Sequence, residues 1–287
     1  LCTRLAALGS DAYGVTCCAE PPRRPGLTWV RADLTDPHDV RTAIRDIAPD
    51  VVFHLAGSVT GQRSVDQVVP TMTGNLVSTV HLLAAITAAK VRRVVLAGSM
   101  EEPDQDIDGP VPGSPYAASK WASSGYARMF HAVYSVPVVT ARLTMVYGPG
   151  QWDLTKLLPY VITSLFAGTS PAVSSGRRQI DWVFVDDVVE GLLAAASAPG
   201  TDGQSLDIGS GMLISIRDTL EQIGRLVGSD LPIRFGAIPD RPIERPRAAR
   251  TAATRSLTGW SAATPLAEGL RQTVTWYRET WSSLQPS

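Results

Sequence analysis

Short apolar runs at 51–55 and 94–97 recur along the chain with a third, mostly apolar stretch at 138–143, and long helical stretches at 75–90 and 115–134 lie between them. Runs this short and this continuously apolar read as strands buried on both faces, as in a parallel sheet. Parallel neighbours need a crossover connection, and a helix usually supplies it. The alternation starts earlier in the chain. Residues 1–8 read as an amphipathic helix ending at Gly9, 12–18 and 27–31 as strands, and 37–47 as a helix with Asp36 as its N-cap. The whole pattern predicts an α/β fold built on a doubly wound parallel sheet.

Beyond Gly148 the texture changes. Pro149-Gly150 reads as a loop, 156–167 as a helix and 168–176 as a Ser/Pro/Gly-rich connection, and from 206 onward short elements alternate with loops. The expected organisation is a first domain at 1–148, joined again by 181–198, and a smaller discontinuous lobe at 149–180 and 199–287. At 287 residues the chain suits one large domain or a domain plus a lobe. Its 44% hydrophobic and 18% charged residues fit a globular protein.

A net charge of −1 supplies no field for nucleic acid or an anionic membrane, so neither is expected as a partner. Cys2, Cys17 and Cys18 lack metal spacing and form no even disulfide set, and the four histidines are scattered. The expectation is a reducing cytoplasm and no metal. No signal peptide is evident, and no apolar run reaches the roughly 18 residues of a membrane span.

The chemistry concentrates in Ser114-Pro115-Tyr116-Ala117-Ala118-Ser119-Lys120, with Ser99 upstream at the end of an apolar strand. Tyr116 and Lys120 are four apart, so on a helix they project from one face. A lysine ammonium beside a phenol favours the phenolate, and a cationic ring nearby adds to that. Ser99 is placed to hydrogen-bond the oxygen that exchanges a proton. Taken alone, the pair also fits a surface lysine one turn from a half-buried tyrosine.

With its flanks, the stretch resembles the active-site helix of the extended short-chain dehydrogenase/reductases, the NAD-dependent epimerase/dehydratases of nucleotide sugars. Other segments recur in that family's order: Asp33-Leu34-Thr35-Asp36, His54-Leu55-Ala56-Gly57, Asn75 opening a helix, Arg142 through Gly150, and 181–188. The resemblance implies a Rossmann-type sheet, a nicotinamide cofactor and a nucleotide diphosphate sugar as substrate. It also implies that a strand and glycine-rich turn belong before the first helix, about 20 residues by the size of such an entry. By resemblance, Asp33 and Leu34 lie near the adenine, while Leu55, Ala56 and Gly57 run along the cofactor. Asn75, Ala97, Tyr116 and Lys120 complete its contacts, although Asn75 also fits a plain helix cap. Thr16 and Cys17 stand where the ribose discriminator belongs, and Arg23 follows in the loop. NAD and NADP both stay open.

The resemblance casts Ser99, Tyr116, Lys120 and Glu101 as the catalytic set. Dehydratases carry an acidic or hydroxyl residue between the equivalents of Ser99 and Glu101, and here Met100 can neither donate nor accept a proton. Gly98-Ser99-Met100-Glu101-Glu102 looks closer to reductases of nucleotide-bound 4-keto sugars, though Glu101 and Glu102 also fit ordinary loop acids. Met145 stands where the family places a substrate-binding asparagine, and Arg178, Arg241 and Arg247 are candidates for the diphosphate. The reading that fits best is reduction of a 4-keto-6-deoxyhexose. An epimerase comes next, then a dehydratase, then a non-catalytic nucleotide-binding protein. A homodimer through helices 75–90 and 115–134 is also implied.

Overall fold

Gly9, in the left-handed region at φ 74°, stops the first helix, α1 (Cys2–Ala7), and turns the chain into β1 (Ala12–Thr16). β2 (Leu27–Arg31) follows, then α2 (Pro37–Ile47), where Asp36 accepts from the His38 amide at 2.7 Å and caps the helix as expected. β3 (Val51–His54) leads into a 3₁₀ turn at Val65–Gln67, α3 (Val68–Met72), a π turn at Thr73–Val77 and α4 (Ser78–Ile86). Then come β4 (Arg93–Ser99), α5 (Pro115–Tyr134) and β5 (Val138–Leu143). This computed structural model describes residues 1–21, 24–103, 111–240 and 246–284.

The second half runs β6 (Met145–Tyr147), α6 (Leu157–Phe166), β7 (Ala172–Val173), β8 (Gln179–Phe184) and α7 (Val185–Ser197). β9 (Ser205–Ile208), β10 (Leu213–Ser215), α8 (Ile216–Val227), β11 (Arg234–Phe235), α9 (Thr251–Thr258) and α10 (Leu266–Leu284) complete it. The chain divides into two units, Leu1–Arg142 with Leu192–Leu206 and Leu143–Gly191 with Asp207–Ser287.

In the first unit β1 and β2 pair in parallel, Ala12 opposite Leu27 through Thr16 opposite Arg31. A four-stranded sheet runs β3-β4-β5-β9, with β3 and β4 parallel from Val51 opposite Arg93 to His54 opposite Leu96. All seven residues of β4 are buried, as its apolar run requires. Val94 and Leu96 share a core with Val40 and Ile44 of α2, Leu82, Leu83 and Ile86 of α4, and Phe130 of α5. Buried Arg93 ties the start of β4 to the returning segment, paired with Asp202 at 3.0 Å and donating to the Ala198 carbonyl at 3.2 Å.

The second unit is built on β10-β8-β6, in which β8 is parallel to β6 and antiparallel to β10. Its core joins Tyr147, Trp182 and Phe184 of the sheet to Ile162 of α6, Leu220 and Ile223 of α8, and Leu270 and Tyr277 of α10. β6 has no counterpart among the strands read from the sequence: three residues paired to β8 form a strand too short to show a period.

One helical stretch, Val65–Ile86, is long and apolar enough to cross a membrane by length and composition. Four polar residues buried along it, Thr71, Asn75, Ser78 and Thr79, place it in the protein core. It also corrects the expectation that Asn75 opens a helix. The helix begins well upstream, and Asn75 lies inside it, in the π turn.

Candidate active site

Ser114 accepts from the Ala117 amide at 3.1 Å and Pro115 occupies the first turn, so α5 starts where its cap dictates. One turn in, Tyr116 and Lys120 share a face beneath Ser99, the last residue of β4. The Tyr116 phenol is hydrogen-bonded to Ser99, whose hydroxyl accepts from the Glu101 amide at 3.1 Å. Lys120 is buried and donates from Nζ to the Ala97 carbonyl at 2.9 Å, with Nζ 6.0 Å from the Tyr116 ring centroid. The structure therefore brings Ser99, Ala97, Tyr116 and Lys120 together.

The electrostatics differ from the sequence expectation. Burial pushes the Tyr116 phenol up to about 12; the Ser99 hydrogen bond lowers it, and the charges of Glu101 and Glu102 add to the rise. Lys120 is itself lowered by burial, with Glu102 opposing, and its ammonium is turned to a carbonyl rather than to the phenol. The protein alone keeps Tyr116 protonated. Moving the phenol from about 12 to neutral pH takes roughly 7 kcal/mol at about 1.4 kcal/mol per unit, so further positive charge is required.

Asn75 is a bracket. Its Oδ1 accepts from the Ser58 amide at 2.7 Å, and its Nδ2 donates to the Ser58 carbonyl at 3.1 Å and to Ser119 Oγ of α5 at 2.9 Å. The π turn frees the Asn75 carbonyl, which accepts from Thr79 Oγ1 at 2.6 Å and Ser123 Oγ at 3.3 Å. Thr79 has thus spent its one proton, so His54 Nε2, 3.1 Å away, donates to it. Burial, then the Lys120 charge, holds His54 down at about 4, so it is neutral near pH 7.

Where β3 ends, Leu55, Ala56 and Gly57 turn outward and are exposed. A Cβ on Gly57 would overlap Asn75 Oδ1 and lie 3.5 Å from Lys120 Nζ. The missing side chain makes room for the Asn75 carboxamide and leaves bare backbone near the ammonium, at the strand ends where such sheets bind ligands. Asp33 and Leu34 lie apart from this cluster. The Asp33 carboxylate accepts from the Thr35 amide at 2.8 Å and its hydroxyl at 2.7 Å, which holds it below the usual carboxylate range, and Leu34 packs on the core. Thr16 Oγ1 accepts from the Cys18 amide at 3.1 Å. Arg23 lies outside the described residues.

Glu101 is exposed, and its neighbour Glu102 is the buried one, accepting from the Ser99 amide at 2.7 Å. From the sequence, Glu102 counts only as part of the 98–102 pattern or as a loop acid, outside the catalytic set. The available signal was Gly98, whose absent Cβ leaves the space that the Glu102 carboxylate takes.

The remaining candidates belong to the second unit. Met145 begins β6 opposite Trp182, Arg178 is half-buried before β8 with its carbonyl accepting from the Ile216 amide at 2.9 Å, and Arg247 is half-buried. Arg241 lies outside the described residues. Two carboxylates of the 181–188 segment hold loops. Asp181 accepts from the Ser210, Gly211 and Ala249 amides at 2.8–2.9 Å and from Ser210 Oγ at 2.7 Å. Asp187 accepts from the Ala263 and Thr264 amides.

The fold recurs in known proteins. The chain is 34% identical over 261 residues to a UDP-glucose 4-epimerase of Mycolicibacterium smegmatis, covering 87% of this chain and 82% of that one. It is 28% identical to a dTDP-glucose 4,6-dehydratase of Xanthomonas campestris pv. campestris, over 88% of this chain and 80% of that one. The crystal structure of the Bordetella bronchiseptica enzyme WbmF in complex with NAD⁺ and UDP superposes with a TM-score of 0.83 at 27% identity, covering 98% of this chain and 89% of that one. Residues 1–209 match the family model described as the NAD dependent epimerase/dehydratase family. That match spans most of the chain, and the resemblance read from the sequence holds: the protein is an α/β enzyme that belongs to the NAD dependent epimerase/dehydratase family.

Proposed function

We propose that the protein is an NAD-dependent 4-epimerase of a nucleotide diphosphate hexose, working as a homodimer. Met100 between Ser99 and Glu101 speaks against a dehydratase. Elimination of water across C5 and C6 needs an acid as well as a base, and a thioether supplies neither. The observation that carries the epimerase reading is the 34% identity to a protein named UDP-glucose 4-epimerase.

Leu55–Gly57 would hold the cofactor backbone, with Lys120 Nζ, which has two donors left beyond Ala97, on the nicotinamide ribose. Bound NAD would supply a hydride acceptor and a positive charge. Ser99 orients the C4 hydroxyl of the sugar. Tyr116, ionised with the help of that charge, would take the hydroxyl proton as hydride leaves C4. Once the 4-keto sugar has presented its other face, hydride would come back to C4 and Tyr116 would return the proton to the oxygen. Asn75 keeps the Ser58 backbone against α5. Arg178 and Arg247 of the second unit are the candidates for the diphosphate.

A second reading is the 4-keto-6-deoxyhexose reductase, favoured by the resemblance of 98–102 to such enzymes. Chromatography of the sugar nucleotide, followed alongside reduced-nicotinamide absorbance, separates the readings. A UDP-hexose should be interconverted with its C4 epimer with no net change in NADH. Stoichiometric oxidation of NADH by the 4-keto-6-deoxy sugar would establish the reductase. A 4-keto-6-deoxy product from the plain hexose would show that Glu101 performs elimination despite Met100.

The dimer rests on an exposed apolar face. Val65, Val69 and Met72 on the first helical stretch and Tyr126 and Val133 on α5 are all exposed, the last two seven residues apart and hence on one side. Ala85 and Ser123 face the protein's own core and lie off that surface. Sedimentation at micromolar concentration should show a dimer, and Val69→Glu with Val133→Glu a monomer. A wild-type monomer refutes this assembly.

A further inference from the structure

Three charged side chains are buried together at the end of β4: Glu102, Lys120 and Arg142, exposed by 4%, 5% and 6%. Glu102 doubles back on its own strand. Its Oε1 accepts from the Ser99 amide at 2.7 Å, its own amide donates to the Ser99 carbonyl at 3.2 Å, and a Cβ on Gly98 would lie 2.8 Å from that Oε1 and 3.2 Å from Arg142 Cγ. The sequence thus keeps a glycine so that a carboxylate can lie under Ser99. Burial raises the Glu102 carboxyl, and the Ser99 amide, the Ser124 hydroxyl and the Arg142 and Lys120 charges oppose that rise only in part.

We propose that Glu102 is a positioning residue of this active site, holding the Ser99 backbone in place and acting as the buried counter-charge of Lys120. Its effect on proton affinity has one sign everywhere. The Glu102 charge raises both Lys120 and Tyr116. The other groups acting on it are Arg142 from β5 and the Ser124 hydroxyl from α5, while Glu101 of the same loop acts on Tyr116. His54, near Lys120, stays neutral and adds no opposing charge near pH 7. This inference accepts the catalytic reading of Ser99, Tyr116 and Lys120 and concerns what sets their state.

The test is Glu102→Gln, close to isosteric and uncharged. If its role were only packing, the pH–rate profile would drop without moving. With the charge removed, both limbs should shift to lower pH by roughly one unit, because both proton-handling groups lose a raising influence. Glu102→Asp should leave the limbs near their wild-type positions at reduced kcat, and exposed Glu101→Gln should move them less than Glu102→Gln. A readout that needs no substrate is alkaline titration of phenolate absorbance in NAD-loaded protein, wild type minus Tyr116→Phe. On the Glu102→Gln background the Tyr116 transition should fall by a similar amount. Should Glu102→Gln not fold, the neutral pair Glu102→Gln with Arg142→Met removes the anion together with a buried partner and keeps the titration available. If no sugar nucleotide is turned over by wild type, the epimerase reading fails and the titration still decides the role of Glu102. A Tyr116 transition unmoved by the substitution overturns the proposal.

Discussion

Replacing Tyr116 with phenylalanine lowers turnover by about 10²–10⁴-fold while NAD affinity stays within a few-fold of wild type. The phenol oxygen is the group hydrogen-bonded to Ser99, and its removal leaves the ring, Lys120 and the Lys120–Ala97 bond in place. The substitution therefore separates proton transfer from cofactor binding. Isothermal titration with NAD and chromatography of the sugar nucleotide measure the two sides. Unchanged turnover would remove the proposed mechanism altogether. A loss of NAD binding equal to the loss of rate would make Tyr116 a binding residue.

Asp181→Ala is expected to destabilise the second unit by about 4 kcal/mol or more. The residue is 2% exposed and accepts from three main-chain amides and one hydroxyl, on segments 29 to 68 positions away. Removing an acceptor leaves each buried donor with its full desolvation cost, about 1–3 kcal/mol apiece. Asp181→Asn keeps one acceptor oxygen and places a donating amide against amide donors, so it should fall between alanine and wild type. Urea unfolding followed by tryptophan fluorescence gives the ordering. A loss under about 1 kcal/mol for alanine would mean that water replaces the carboxylate.

The elements with local punctuation were legible in the sequence. Asp36-Pro37 and Ser114-Pro115 start α2 and α5 where a cap and a donor-free first residue are wanted, and the strands at 51–54 and 138–143 are apolar throughout or nearly so. The Tyr116/Lys120 pair was readable for the same reason, since helical spacing decides which side chains share a face. Whatever depends on a distant partner was not readable. The burial of Glu102 depends on the glycine at 98 and on Arg142 from another strand, so Glu101 looked the better candidate. The direction of the Tyr116 shift depends on how much water the fold removes. β6 exists only because β8 lies beside it.

The π turn at Thr73–Val77 has a geometric consequence. An i→i+5 turn holds one residue more than an i→i+4 turn, and each helical residue advances about 100°. Deleting one residue between 73 and 77 would let the helix run straight and would swing everything upstream by about that angle. Val65, Val69 and Met72 would then leave the line they now share on the outside of the protein. Asn75 would lose its aim at Ser58 and Ser119 in the same motion. A single surplus residue thus works as a gear tooth, setting the azimuth of an outer face and of an inner polar bracket at once, so that neither can be retuned in evolution without the other.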